Sequence, residues 1–127
     1  MSDFKTPLKK ARGLGSAKSG TEHFWQQRVT ALANVPLVLF LIYFIISHLG
    51  GTRADVVASV KPPFVTLALL LALASIMWHM RLGLQVVIED YVHSEGRKLA
   101  ALLLNTFFVA ALALTGALAI LKMGFGL

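Results

Sequence analysis

Three long runs of apolar residues dominate the chain, and charged side chains are confined to the segments around them. No Asp, Glu, Lys or Arg occurs at residues 29–52, 62–80 or 99–121. A helix rises about 1.5 Å per residue, so about 20 apolar residues are enough to cross the hydrocarbon core of a bilayer. The pattern therefore predicts three transmembrane helices, over about residues 29–49, 64–88 and 99–121.

The segments outside these runs predict how the chain begins. Residues 1–20 are polar and basic and contain no apolar run typical of a secretory signal. They are predicted to form a flexible arm, followed by a helical anchor over residues 21–127. Ser19 and Glu22 have the spacing of a capping box, which predicts that the first helix starts near Thr21.

Composition agrees with a membrane protein and excludes other classes. Hydrophobic residues make up 57% of the chain and charged residues 14%, whereas about a quarter of a soluble domain is charged. A soluble catalytic domain needs more polar surface than this composition provides. The chain is therefore not expected to be an enzyme on its own. The absence of cysteine excludes thiolate-held cofactors. The net charge is +6, and the basic residues lie beside the predicted spans, where membrane topology explains them. No nucleic-acid partner is therefore expected.

The distribution of Lys and Arg predicts the orientation of the chain. Six positive residues lie between the N-terminus and the first span, and two lie between the second and third spans, whereas Arg53, Lys61 and Lys122 lie on the other side. Positive residues are retained on the cytoplasmic side of a membrane. The expected fold is thus an all-α integral membrane bundle of three transmembrane helices, with a cytoplasmic N-terminus and the C-terminus on the opposite side.

His79 is an ionisable residue near the middle of the second predicted span, where such residues are costly and often functional. Two interpretations stay open for it. Neutral imidazole is a usual axial ligand of haem iron, but a membrane histidine can equally form a hydrogen bond to a neighbouring helix. The other histidines are expected nearer the membrane surfaces, so the second ligand of a bound haem would come from another polypeptide.

Four further polar or small-residue features have open roles. Asp90 and Tyr91, at the end of the second span, can hydrogen-bond and protonate a quinone, or simply anchor the helix at the interface. Arg28 can pair with a haem propionate or a quinone oxygen, or serve as a positive anchor. Arg81 lies inside the span and can face a partner subunit or a propionate. Small residues at positions 111, 115 and 119 predict close helix packing along the third span.

Ten residues at fixed spacings distinguish the first two spans. They are Gly20, Phe24, Arg28, Thr30 and Ala31 in the first, and His79, Gly83, Gln85, Asp90 and Tyr91 in the second. Both motifs closely resemble those of the small hydrophobic anchor subunit of succinate dehydrogenase, respiratory complex II. The resemblance covers nearly the whole chain from about Gly20.

The resemblance implies a specific assembly and location. In complex II a flavoprotein subunit oxidises succinate and an iron-sulfur subunit carries the electrons, while two small membrane subunits hold haem b and complete the ubiquinone site. This chain would be one of those two anchors, serving electron transfer in the respiratory chain and the tricarboxylic acid cycle. The implied location is the bacterial inner membrane, with the mitochondrial inner membrane as the alternative.

The resemblance also implies roles for individual residues. His79 would be the axial ligand of haem b, with the opposite ligand supplied by the sister anchor subunit. Tyr91 would hydrogen-bond a quinone carbonyl, with Asp90 beside it as a proton relay. No role carries over to Glu22 or His23. Two alternatives stay open, namely the anchor of a quinol:fumarate reductase and a structural accessory subunit of a membrane complex that binds no cofactor.

Overall fold

The computed structural model describes residues 6–11 and 20–126, and within these ranges all regular secondary structure is α-helical. The helices, in chain order, are α1 (Pro7–Ala11), α2 (Gly20–Ser47), α3 (Arg53–Val60), α4 (Pro63–Tyr91) and α5 (Glu95–Phe125). By length and composition α2, α4 and α5, with 28, 29 and 31 residues, can each cross a membrane. This confirms the predicted all-α fold with three membrane-spanning helices.

The helices extend beyond the apolar runs that predicted them. α2 already begins at Gly20, and α4 and α5 are separated only by residues 92–94, a shorter connection than the charge pattern indicated. Backbone hydrogen bonding continues where the side chains become polar, because the ends of a membrane helix reach into the interface. Most of the predicted N-terminal arm, including the proposed capping residue Ser19, lies outside the described residues.

The short helix α3 was not predicted. Its first turn is held by a capping box, in which the Asp55 N–H donates to Thr52 Oγ1 at 3.3 Å and the Thr52 N–H donates to Asp55 Oδ2 at 2.8 Å. The Thr52 backbone and hydroxyl hydrogen bonds lower the pKa of the Asp55 carboxyl. At the end of α2, Gly50 has a φ of 79° and turns the chain toward α3.

α4 is the central helix of the bundle. α2 and α5 each pack against α4, and among the described residues they do not pack against each other. The α4–α5 contact is close because α5 presents glycines to it. A Cβ atom at Gly116 would lie 2.9 Å from the Leu73 side chain, and one at Gly124 would lie 2.6 Å from that of Thr66.

The predicted packing strip on α5 is not the face of this helix that packs within the chain. The small residues at positions 111, 115 and 119 are all exposed, whereas Asn105 and Val109 are buried against α4. The closest approach of two helix backbones is possible at glycine, which has no side chain, so the glycines at 116 and 124 set the contacting face.

Candidate cofactor site

The half-buried side chain of His79 faces α2. Its Nδ1 atom lies 3.0 Å from Oγ1 of Thr30, which connects the two long helices. The Thr30 hydroxyl also lies 2.7 Å from the carbonyl oxygen of Gln26, one turn earlier in α2. The other ring nitrogen of His79, Nε2, forms no hydrogen bond to another described residue. The two motifs found in the sequence therefore meet at the Thr30–His79 contact.

A cavity of about 480 Å³ lies beside this contact, between the first turns of α2 and the His79 side of α4. We call it the His79 cavity. It is lined by Gly20, His23, Phe24, Gln27, Arg28, Ala31, His79 and Val86. The α2 members recur every three to four residues, so they share one face of that helix. Phe24 and Val86 are 52% and 38% exposed, so the cavity opens on the surface of the bundle.

Two buried polar atoms belong to residues that line the His79 cavity. Nε2 of His23 and Oε1 of Gln27 have no hydrogen-bond partner in the described part of the chain. More than about 90% of buried polar groups in native proteins are paired. A ligand, a partner subunit or water therefore completes these two atoms.

No function was predicted from the sequence for His23 or Gln27. His23 was expected near the membrane surface, away from the depth of His79. A detectable signal was present. His23 and Gln27 are one turn apart on the same helical face as Gly20 and Ala31, in a helix that is otherwise largely apolar.

Arg28 adds a positive charge to the rim of the His79 cavity. Its side chain is exposed, and the guanidinium carbon lies 5.1 Å from the centre of the Phe24 ring. Such a contact at an exposed site contributes about 0.5–1 kcal/mol and leaves the charge in place. No described carboxylate forms an ion pair with Arg28, so this charge can pair with an anionic group from outside the chain.

Asp90 and Tyr91 lie apart from His79. They are the last two residues of α4, both are exposed, and neither lines the His79 cavity. The Tyr91 side chain is 78% exposed. Twelve residues of helix separate Tyr91 from His79, a rise of about 18 Å. The structure thus brings Arg28 to the same cavity as His79 but leaves Asp90 and Tyr91 on the outside of the bundle.

Arg81 contacts neighbours within its own chain. The guanidinium carbon lies 5.3 Å from the centre of the Trp78 ring, and the Arg81 backbone oxygen accepts a hydrogen bond of 3.0 Å from Nδ2 of Asn105 on α5. Arg81 is not one of the residues that line the His79 cavity.

Three helices long and apolar enough to cross a membrane, with an open, partly polar cavity beside them, define a helical membrane protein. The family model for the succinate dehydrogenase/fumarate reductase transmembrane subunit matches residues 2–114. The succinate dehydrogenase hydrophobic membrane anchor subunit of Rickettsia bellii is 39% identical over 90 residues, covering 71% of this chain and 72% of the relative. The protein of the same name from Paracoccus denitrificans is 32% identical over 121 residues, covering 95% and 93%.

The chain belongs to the succinate dehydrogenase/fumarate reductase transmembrane subunit family. This confirms the resemblance found in the sequence motifs and supports the role of a membrane anchor in an oxidoreductase complex. No solved structure matches the chain.

Proposed function

We propose that this chain is an anchor subunit of succinate dehydrogenase that holds haem b together with a sister anchor subunit and completes a ubiquinone site. It would assemble with the flavoprotein and iron-sulfur subunits in a bacterial inner membrane. The observation that carries the proposal is the placement of His79, with one ring nitrogen held by Thr30 and the ring at the wall of a 480 Å³ cavity.

The residues of the His79 cavity fit haem b in their chemistry. An imidazole whose Nδ1 is held and whose Nε2 forms no other bond is suited to ligate iron. Haem also carries two carboxylates at one edge, which need donors and positive charge. Arg28 and the unpaired Nε2 of His23 supply both at the same cavity. When bound, the haem supplies a one-electron carrier within the membrane.

The second iron ligand is assigned to the sister subunit. His23 is the other histidine that lines the His79 cavity. Thr30 marks the level of His79 on α2, and His23 lies seven residues earlier, about 10 Å along the helix. The two imidazoles are therefore too far apart along the helix axis to hold one iron together.

The quinone role is proposed for the end of α4. Tyr91 would donate its phenol hydrogen to a quinone carbonyl, and Asp90 would pass protons to it. Thr30 contacts His79 and Asn34 contacts Ser75, so α2 and α4 run in opposite directions. The end of α4 therefore lies on the same side of the bundle as the start of α2, where the His79 cavity opens. The exposure of Tyr91 leaves its hydroxyl open to a quinone held with another subunit.

The haem assignment is tested by His79→Ala, measured by optical spectra of the purified complex. We expect the b-type band to disappear while the flavoprotein and iron-sulfur subunits remain assembled. The matched control is Ser75→Ala, since Ser75 lies one turn away on α4 and its hydroxyl donates to Asn34 across the same interface at 2.6 Å. An unchanged haem band in His79→Ala would show that the ligand assignment is wrong and would favour a cofactor-free structural subunit.

The quinone assignment is tested by Tyr91→Phe. The loss of one hydrogen bond, about 1.4 kcal/mol, is expected to slow quinone reduction about tenfold, while succinate oxidation by a soluble dye persists. Equal loss of both activities would mean that Tyr91 serves assembly instead. The family description also names fumarate reductase, so the ratio of quinone reduction by succinate to quinol oxidation by fumarate should be measured on the same preparation.

A further inference from the structure

We propose that Thr30 is a positioning residue for the haem site, which holds the His79 ring in the tautomer with hydrogen on Nδ1 and thereby sets the iron potential. The inference rests on the proposed haem role of His79. It concerns the hydroxyl of Thr30, which does not line the His79 cavity and can act on iron only through the imidazole.

The tautomer is inferred from the partners of the Thr30 hydroxyl. This hydroxyl has one hydrogen, and it is directed to the backbone oxygens of Gln26 at 2.7 Å and Gln27 at 3.1 Å. With that hydrogen so engaged, we assign the donor of the 3.0 Å contact between Thr30 Oγ1 and His79 Nδ1 to the imidazole. With hydrogen on Nδ1, the lone pair of the neutral ring lies on Nε2, the nitrogen left for a metal.

A comparison with other threonines shows that the contact is more than routine helix chemistry. The hydroxyls of Thr106 and Thr115 on α5 also donate to the carbonyl four residues earlier. Both residues are exposed, and within the described part of the chain neither hydroxyl forms a hydrogen bond to another helix. Thr30 makes the same local bond, and its hydroxyl also lies 3.0 Å from Nδ1 of His79, a residue 49 positions away on another helix. The bond to Gln26 polarises the hydroxyl and strengthens it as an acceptor.

Such a hydrogen bond has a defined effect on a ligated metal. An acceptor at the outer nitrogen fixes the plane of the ring and raises the electron density of the ligating nitrogen. A more basic ligand favours ferric over ferrous iron and lowers the reduction potential. Removal of Thr30's hydroxyl should therefore raise the potential and loosen the orientation of the ring.

The test is Thr30→Val in the assembled holo-complex, because valine keeps the shape of threonine and removes the hydroxyl. Hydrogen-bond partners of a metal-bound histidine typically contribute about 10–100-fold to metal affinity or activity. At the lower end, a tenfold change in the ratio of ferric to ferrous affinity raises the midpoint potential by about 59 mV. Redox titration of the optical haem band measures the potential, and electron paramagnetic resonance of the ferric haem reports ring orientation. Thr30→Ser, which keeps the hydroxyl, should restore both values.

The control is Ser75→Ala, which removes a hydrogen bond from the same α2–α4 interface without touching His79. A Thr30→Val complex with the potential and resonance spectrum of the wild type overturns the inference, as does an equal shift in Ser75→Ala. If the Thr30→Val complex fails to assemble, Thr30→Cys provides the test instead. A thiol is a weaker hydrogen-bond acceptor than a hydroxyl, so this variant should also raise the haem potential. A Thr30→Cys complex with the wild-type potential overturns the inference.

The inference and the proposed function fail separately. Loss of haem in His79→Ala with an unchanged potential in Thr30→Val removes the role of Thr30 and leaves the haem function. Retention of haem in His79→Ala overturns both.

Discussion

Alanine in place of Gly124 is expected to destabilise the contact between α4 and α5. The new methyl group would lie 2.6 Å from Oγ1 and 2.9 Å from Cγ2 of Thr66. Thr66 is buried, and its hydroxyl donates to the Val60 carbonyl oxygen at 2.6 Å. The side chain therefore cannot rotate away without breaking a buried hydrogen bond.

The magnitude follows from these two contacts. Overpacking a tight interface costs about 1–3 kcal/mol, and loss of the Thr66 hydrogen bond adds about 1 kcal/mol if the side chain moves. The gain in helix propensity from glycine to alanine is up to about 1 kcal/mol, and it is smaller here because Gly124 lies in the last turn of α5. We expect Gly124→Ala to lower the free energy of unfolding by about 1–3 kcal/mol.

Two other glycines provide matched controls. A Cβ atom at Gly116 would lie 2.9 Å from Leu73, but it meets the far end of a flexible side chain that can shift, so Gly116→Ala should cost less. No atom lies within 4 Å of a Cβ atom at Gly96, so Gly96→Ala should be neutral or slightly stabilising.

The assay is equilibrium unfolding in mixed detergent micelles, followed by helix content as the fraction of denaturing detergent increases. The double variant Thr66→Ala with Gly124→Ala removes both close contacts, so its effect should be smaller than the sum of the single effects. A Gly124→Ala protein as stable as Gly96→Ala would refute the reasoning.

Two further predictions concern α3 and the His79 side of α4. The pKa of Asp55 is lowered from the ordinary value of an aspartate, chiefly through the Thr52 backbone hydrogen bond, so the carboxylate stabilises α3 fully above that ordinary pKa and this contribution is lost as the pH falls through the lower folded value. Amide-exchange protection of α3 should fall as the Asp55 carboxylate becomes protonated. In Asp55→Asn this protection should be low at all pH values, and unchanged protection would contradict the prediction. Gly83→Ala would place a methyl group 3.9 Å from Gln27, an ordinary contact, so the stability of the anchor should not fall. Since Gly83 lies one turn from His79, we expect less haem in the purified complex, and normal haem content would argue against a macrocycle at this face.

The membrane-spanning helices were predictable because a hydrocarbon core imposes its requirement on the sequence directly. About 20 apolar residues are needed whatever the helix packs against. α3 was missed because a segment of eight residues is too short to show a helical periodicity, although Thr52 and Asp55 carry the spacing of a capping box. The contacting face of α5 was misassigned because several small residues compete on that helix, and only the helix geometry decides which of them meet α4.

The candidate site was predictable to a similar, partial extent. His79 was found because an ionisable residue is costly inside a membrane, and this argument needs no neighbour. Its contact with Thr30 joins residues 49 positions apart, so no local pattern could predict it. The roles of Asp90 and Tyr91 stay predictions, because both side chains are exposed and neither lines the His79 cavity.

The two ends of the bundle differ in how completely their polar groups are paired. At the α3 end, the chain pairs its own groups, since His48 contacts the Phe44 carbonyl oxygen through Nδ1 and Ser59 Oγ through Nε2, both at 2.7 Å. Of the three buried polar atoms without a partner in the described residues, two belong to His23 and Gln27 in the first turns of α2, and the third belongs to Asn105 in the middle of α5.

The end of the bundle that carries the His79 cavity is therefore the incomplete one. A buried polar group without a partner costs about 1–3 kcal/mol, so this arrangement would destabilise a chain that functioned alone. In an anchor that receives a cofactor and neighbouring subunits at that end, the same unpaired groups become binding contacts and the cost is offset. This asymmetry supports the proposal that the chain works together with a cofactor and partner subunits.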